Sequence, residues 1–216
     1  YEEIRETSVK RNKRQLYVMI FVFAMIALAY TCRMLDMYDI GNGYPGDVRA
    51  ALYIVLLALW GYSIDRRIIQ KPVLHCLRLT DALMLLWLIL RTLKYEVITD
   101  LTVARYLWYL YYLPMLFIPL LGVYIAMSLG KSEEYRLSGK TQLLTIIPAL
   151  LFLCVITNDL HQKVFTFKSG IPGNPGNGPY YHNVVYFFCL AWMVGCMIFT
   201  VVHIFKNSRV SNVGKR

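Results

Sequence analysis

Long apolar runs alternate with short polar intervals six times along this chain, at about residues 15–35, 48–64, 76–94, 103–129, 141–161 and 182–205. A helix that crosses the hydrocarbon core of a bilayer needs about 20 predominantly apolar residues. The second run is the short one and depends on its flanks. Soluble domains do not repeat apolar runs of this length, so the pattern predicts an all-α fold, a polytopic transmembrane helix bundle of six spans. The first run continues from Gln15 past Ala29 with no small-residue cleavage site after it, which reads as a span rather than a secretory signal.

Charge orients the bundle. Arg5, Lys10, Arg11, Lys13 and Arg14 precede the first span. Arg66, Arg67, Lys71 and Arg78 fall at the second interval, Lys131, Arg136 and Lys140 at the fourth, and Lys206, Arg209, Lys215 and Arg216 after the last span. Of the 23 lysines and arginines, 16 therefore lie on one side and seven on the other. Positive residues mark the cytoplasmic side, so both termini are expected there. The chain divides into a basic cytoplasmic arm over 1–14, a six-span bundle over 15–205 and a basic cytoplasmic tail over 206–216. The net charge of +10 is then mostly a topology signal. Basic residues scattered among short loops make a poor nucleic-acid surface, and no nucleic-acid partner is expected. Composition agrees: 57% of residues are hydrophobic and 17% charged, against about 25% charged in soluble domains, and mean hydropathy is +0.46.

The expected outer side is rich in aromatics. Arg105-Tyr106-Leu107-Trp108-Tyr109-Leu110-Tyr111-Tyr112 opens the fourth span, and Tyr180, Tyr181 and Tyr186 crowd the start of the sixth. Interfacial anchoring explains many such rings. A run longer than one helical turn must also point some inward, where they could line a pocket. The longest interval, about Gln162 to Tyr181, contains a Gly- and Pro-rich stretch from Ser169 to Pro179 that cannot hold a helix or a paired strand. It is a lid or a plain connector.

Ionisable groups inside spans are functional candidates. Arg91, near the outer end of the third span, snorkels to the interface, or anchors an anion, or pairs with an outer carboxylate such as Asp36 or Asp159. Asp81 is placed to pair with Arg78, three residues back. At the end of the fifth span Asn158 and His161 share a helical face, and Asp159 points elsewhere. They form a capping cluster, a hydrogen-bonding site for a ligand or, through His161, a pH-responsive group. Pro114, Pro119 and Pro148 each remove a backbone donor inside a span and predict kinks. Gly122 and Ala126, four apart, suit close helix packing. Cys32, Cys76, Cys154, Cys189 and Cys196 lie in or beside apolar runs without metal-ligand spacing, and no metal or cofactor is expected. No catalytic motif occurs, so the chain is not expected to be an enzyme.

The run from Arg105 through Pro119, the stretch from Ser128-Leu129-Gly130-Lys131 through Tyr135-Arg136-Leu137, and Thr157-Asn158-Asp159-Leu160-His161-Gln162 occur in that order. Together they resemble the N-terminal seven-transmembrane region of bacterial histidine kinases, over about residues 15–205. The resemblance implies a multi-pass sensor in the bacterial cytoplasmic membrane, with room for a homodimer. It would detect a small ligand from outside or from the bilayer, contacted by Arg91, Trp108, Tyr112, Asn158 or His161. Its output would be a cytoplasmic signalling module supplied in cis or in trans. The resemblance implies further helices and then a cytoplasmic output module, often a histidine kinase, beyond the six spans read here, so either a truncated receptor or an output supplied by another protein is the expectation. The competing reading is a small transporter or channel subunit whose path follows kinked spans. Few polar groups line those spans and no filter-like loop appears.

Overall fold

The computed structural model describes residues 20–21, 23–35, 38, 44–67, 70–131, 135, 137–167 and 180–213. The arm over 1–14, the start of the first expected span and the Gly/Pro stretch lie outside the described residues. The chain packs as two units, 1–56 and 57–216. In the first, α1 (Phe23–Leu35) buries Ala29 and Cys32, and Thr31 donates back to the Ala27 carbonyl at 2.9 Å. α2 (Tyr44–Arg67) begins in the first unit and ends in the second. Among the described residues, its apolar part runs over Val48–Ile64.

Among its described residues, the second unit contains four helical segments long and apolar enough to span a membrane: Lys71–Tyr95, Leu101–Ser128, Gly139–Ile156 and Val184–Asn207. The first is α3 (Lys71–Thr92), which carries Pro72 in its first turn and runs into a π-helical turn at Leu93–Val97. Proline is preorganised there because its missing N–H has no helical partner to lose. The second is a pair of helices, α4 (Leu101–Leu110) and α5 (Tyr112–Ser128). The third combines α6 (Gly139–Gln142), a 3-10 turn at Leu143–Thr145 and α7 (Ile146–Ile156), after which α8 (Asn158–His161) adds one turn. The fourth is α9 (Val184–Val213), which continues well into the basic tail read from the sequence.

The prolines explain two of these interruptions. A proline clashes with the carbonyl four residues back and cannot donate to it. For Pro114 that carbonyl belongs to Leu110, the last residue of α4, and the helix breaks at Tyr111. For Pro148 it belongs to Leu144, within the 3-10 turn. Pro119 sits inside α5 without interrupting it. The fifth expected span also ends early: the helix stops at Ile156, and the segment to His161 is separate. Thr157 donates its hydroxyl to Leu153 O at 2.7 Å, a back-bond that bends helices.

α5 packs along both α3 and α9, and α7 lies against α5 and α9. Gly122 meets Thr200 of α9, whose Oγ1 would stand 3.5 Å from a Cβ at that position, and Ala126 is fully buried. Small residues thus let these backbones approach. Gln70 ties the start of α3 to the end of α5 by donating from Nε2 to Ser128 O at 3.0 Å and Lys131 O at 2.7 Å. The last carbonyls of a helix lack an intrahelical donor, and Gln70 supplies one to Ser128.

The all-α expectation needs one correction. Phe165–Phe167 (β1) and Tyr180–His182 (β2) form a two-stranded antiparallel ladder that pairs Phe165 with His182, Thr166 with Tyr181 and Phe167 with Tyr180. The Gly/Pro stretch is therefore flanked by a hairpin base. The period of two, with rings at 165 and 167, favours a strand, and tertiary packing secures it.

Candidate functional site

The hairpin end of the second unit holds its densest polar and aromatic packing. α4 starts there because Asp100 caps it, with Oδ1 accepting from Thr102 N at 2.8 Å and Val103 N at 2.9 Å. The helix then presents Arg105, Tyr109 and, across the Tyr111 break, Tyr112 toward the hairpin. All three are buried.

Asn158 is the hub. Its Oδ1 accepts from Val164 N and Phe165 N, both at 3.0 Å, and its Nδ2 donates to Phe165 O at 3.0 Å and Tyr109 OH at 3.3 Å. An amide side chain has two donor hydrogens and two acceptor lone pairs, so Asn158, fully buried, has its whole capacity in use. Three of the four bonds hold the backbone that enters β1. The Tyr109 hydroxyl passes its own hydrogen to Asp159 Oδ1 at 2.7 Å, and Asp159 Oδ2 pairs with Arg105 Nη2 at 2.8 Å. The Arg105 side chain is 8% exposed and that of Asp159 24%. The guanidinium also lies over the Tyr106 and Phe167 rings, 5.9 Å from each centroid.

The backbone that Asn158 holds delivers Phe165 into a ring-lined socket. Phe165 is fully buried. Its centroid lies 4.6 Å from Trp108, 5.7 Å from Tyr112, 5.8 Å from Tyr180 and 5.9 Å from both His182 and Tyr186, and it stacks on Tyr109 at 6.4 Å. Each such pair contributes about 0.5–1.5 kcal/mol beyond area burial, though not additively. The socket walls come from α4, α5, β2 and α9.

His161 has a local task. Its Nδ1 accepts from Lys163 N at 2.9 Å, and its Nε2 faces Cys154 O at 3.1 Å. A ring nitrogen that accepts cannot carry hydrogen, so these contacts assign the neutral form protonated at Nε2. Gln162 follows with a left-handed φ of 50°, and its carbonyl accepts from Asn183 Nδ2 at 2.6 Å. Asn183 also bonds Thr166 Oγ1 at 2.6 Å, stapling the hairpin base to the start of α9.

Of the candidates read from the sequence, Trp108, Tyr112, Asn158 and His161 come together around the hairpin base. Arg91 does not join them: it lies exposed in the last turn of α3, and the carboxylate of Asp159 pairs with Arg105 instead. Arg105 starts the same helix face as Tyr109 and so meets Asp159 where Arg91 does not. Asp81 packs against Gly61 of α2, where a Cβ would collide with its carboxylate; its Oδ1 is buried with no hydrogen-bond partner among the described residues. Sequence reasoning missed Arg105 and Tyr109 as network members, although their spacing of four marks one helix face. It also missed Phe165, whose signal was the aromatic alternation on both sides of the Gly/Pro stretch. Among the described residues, no three His, Cys, Asp or Glu side chains gather as a metal site.

A multi-helix bundle of membrane-spanning length with a clamped hairpin at one end defines a multi-pass membrane protein. Residues 48–214 match the family model of the N-terminal 7TM region of histidine kinase, and the chain belongs to that family, a membrane sensory region. No curated protein and no solved structure gives a match.

Proposed function

We propose that this region detects a small ligand at the hairpin end, from outside or from the bilayer, and relays its presence to a cytoplasmic signalling output. It would do so in the bacterial cytoplasmic membrane with both ends of the six-span segment inside. The positive-inside distribution supports that orientation and puts the hairpin outside.

One observation carries the relay: Phe165, on the hairpin, is seated among rings from α4, α5 and α9. Displacing the hairpin requires those helix ends to repack. A ligand that prefers one of the two arrangements shifts the population toward it by its differential affinity. Trp108, Tyr112, Asn158 and His161 are the residues a ligand would meet or disturb, and Arg91 is a separate anion contact at the same end.

The test uses the receptor together with its native output. Ligand libraries are applied from outside, and Trp108→Ala, Tyr112→Ala, Asn158→Ala and Phe165→Ala are compared with wild type. A response midpoint or basal output shifted tenfold or more supports the reading. Folded variants that all respond like wild type refute it. Labelling of Asn174→Cys by a membrane-impermeant maleimide in intact cells checks the orientation independently, since an unlabelled cysteine puts the hairpin inside.

A further inference from the structure

A second feature lies away from the hairpin. α5, the α6 to α7 segment and α9 enclose an apolar groove of about 550 Å³, walled by Leu120, Val123, Leu144, Trp192 and Phe199. Three observations bear on its occupant. The first is Gly195, in the middle of α9, which lines the groove. A Cβ there would meet nothing within 4 Å. Glycine inside a helix costs about 1 kcal/mol relative to alanine, and no close helix contact accounts for this one. Its missing side chain leaves space in the groove.

The second is the polar mouth. Lys140 and Thr141 are the polar side chains among the lining residues. Lys140 is exposed, and neither its ammonium nor the Thr141 hydroxyl has a hydrogen-bond or ion-pair partner among the described residues. They stand at the beginning of the Gly139–Ile156 segment, at the edge of the apolar region. The third is size. Ligand sites of about 300–1,000 Å³ are ordinary.

We infer that the groove seats one acyl chain of an anionic membrane lipid, with the headgroup held at Lys140 and Thr141. An apolar slot with Lys140 at its rim matches that amphiphile in both halves. A zwitterionic lipid offers Lys140 no net charge, and an uncharged apolar molecule leaves the ammonium without a counter-ion. Trp192 is the reporter the site supplies: its indole lines the groove, and its Nε1 donates to Leu116 O at 3.1 Å.

The protein is reconstituted in phosphatidylcholine nanodiscs into which phosphatidylglycerol with brominated acyl chains is titrated. The emission removed by Trp192→Phe isolates the reporter. Quenching that saturates while the anionic lipid is still a minor component is expected, whereas brominated phosphatidylcholine should quench only in proportion to its share. Lys140→Gln should weaken the anionic preference about fivefold. Gly195→Leu should abolish saturation by filling the slot, and Gly195→Ala, which favours the helix, should do so in part without endangering the fold. Equal quenching by both lipids, or saturation untouched by Lys140→Gln and Gly195→Ala, overturns the inference. So does protection of Trp192 from both lipids, which would show the groove covered by another helix or a second copy of the chain.

Discussion

Around Phe165, every polar atom of Asn158 is paired and six neighbouring rings surround one side chain. Around Leu120, Leu121 and Tyr124, by contrast, packing is mostly aliphatic, with Cys76, Leu83 and the indole of Trp192 against it, and it opens into a groove. Both regions belong to the same unit and share α5 and α9. The difference follows from solvent. In hydrocarbon, two helices gain little from burying apolar surface, so shape and small residues dominate. Near the end of the spans, a non-helical backbone must find partners for its amides, and buried side chains supply them. The hairpin end is therefore specified bond by bond, and the mid-bundle by contour.

The largest expected effect tests whether the hairpin end is a single packed object. Phe165→Ala empties the socket, and removal of a buried phenylalanine typically costs about 3–5 kcal/mol. Thermal unfolding in nanodiscs should show it, and loss of less than 1 kcal/mol would mean that the rings close over the gap. Asn158→Ala should cost about 3 kcal/mol, because it strands two buried amides and a carbonyl and leaves the Tyr109 hydroxyl with Asp159 as its partner. Hydrogen exchange should accelerate at Val164 and Phe165 before any amide of α5 responds. Simultaneous acceleration throughout would erase the distinction between the two regions.

Asp159→Asn should cost about 2 kcal/mol by leaving the Arg105 guanidinium buried without its counter-ion. Adding Arg105→Met should restore part of that loss, and a double variant no better than the single one would show that charge is not the cause. The smallest effect lies at the other end. Gln70→Ala removes two hydrogen bonds to carbonyls at and just past the end of α5 and should lower stability by about 1 kcal/mol. Exchange at the hairpin should not change.

Much of the mid-bundle was legible in the chain because a bilayer imposes length and hydrophobicity that composition alone reveals. The apolar runs near 76–94, 103–129 and 182–205 coincide with helices, and Pro114 and Pro148 lie four residues beyond the carbonyls where helix geometry breaks or tightens. The hairpin end was read only in part. Asn158 and His161 stand out by residue type and spacing, but shared position at one end of the bundle offers Asp159 to Arg91 as one alternative among several. Choosing between two arginines on different helices requires the packing of α4, which no local pattern encodes. The strand at Phe165–Phe167 is three residues long, too short for its periodicity to outweigh the turn-forming stretch beside it.

The clamped hairpin base has a consequence for how such receptors can diverge. Asn158 fixes the strand that enters, and Asn183 fixes the connection that leaves. A segment strung between two fixed points changes length cheaply, since each doubling costs only about 0.6 kcal/mol in closure entropy. Insertions, deletions and wholesale replacement between Phe167 and Tyr180 can therefore accumulate without reopening the socket below. A lineage can rewrite that segment while inheriting, unaltered, the packing around Phe165.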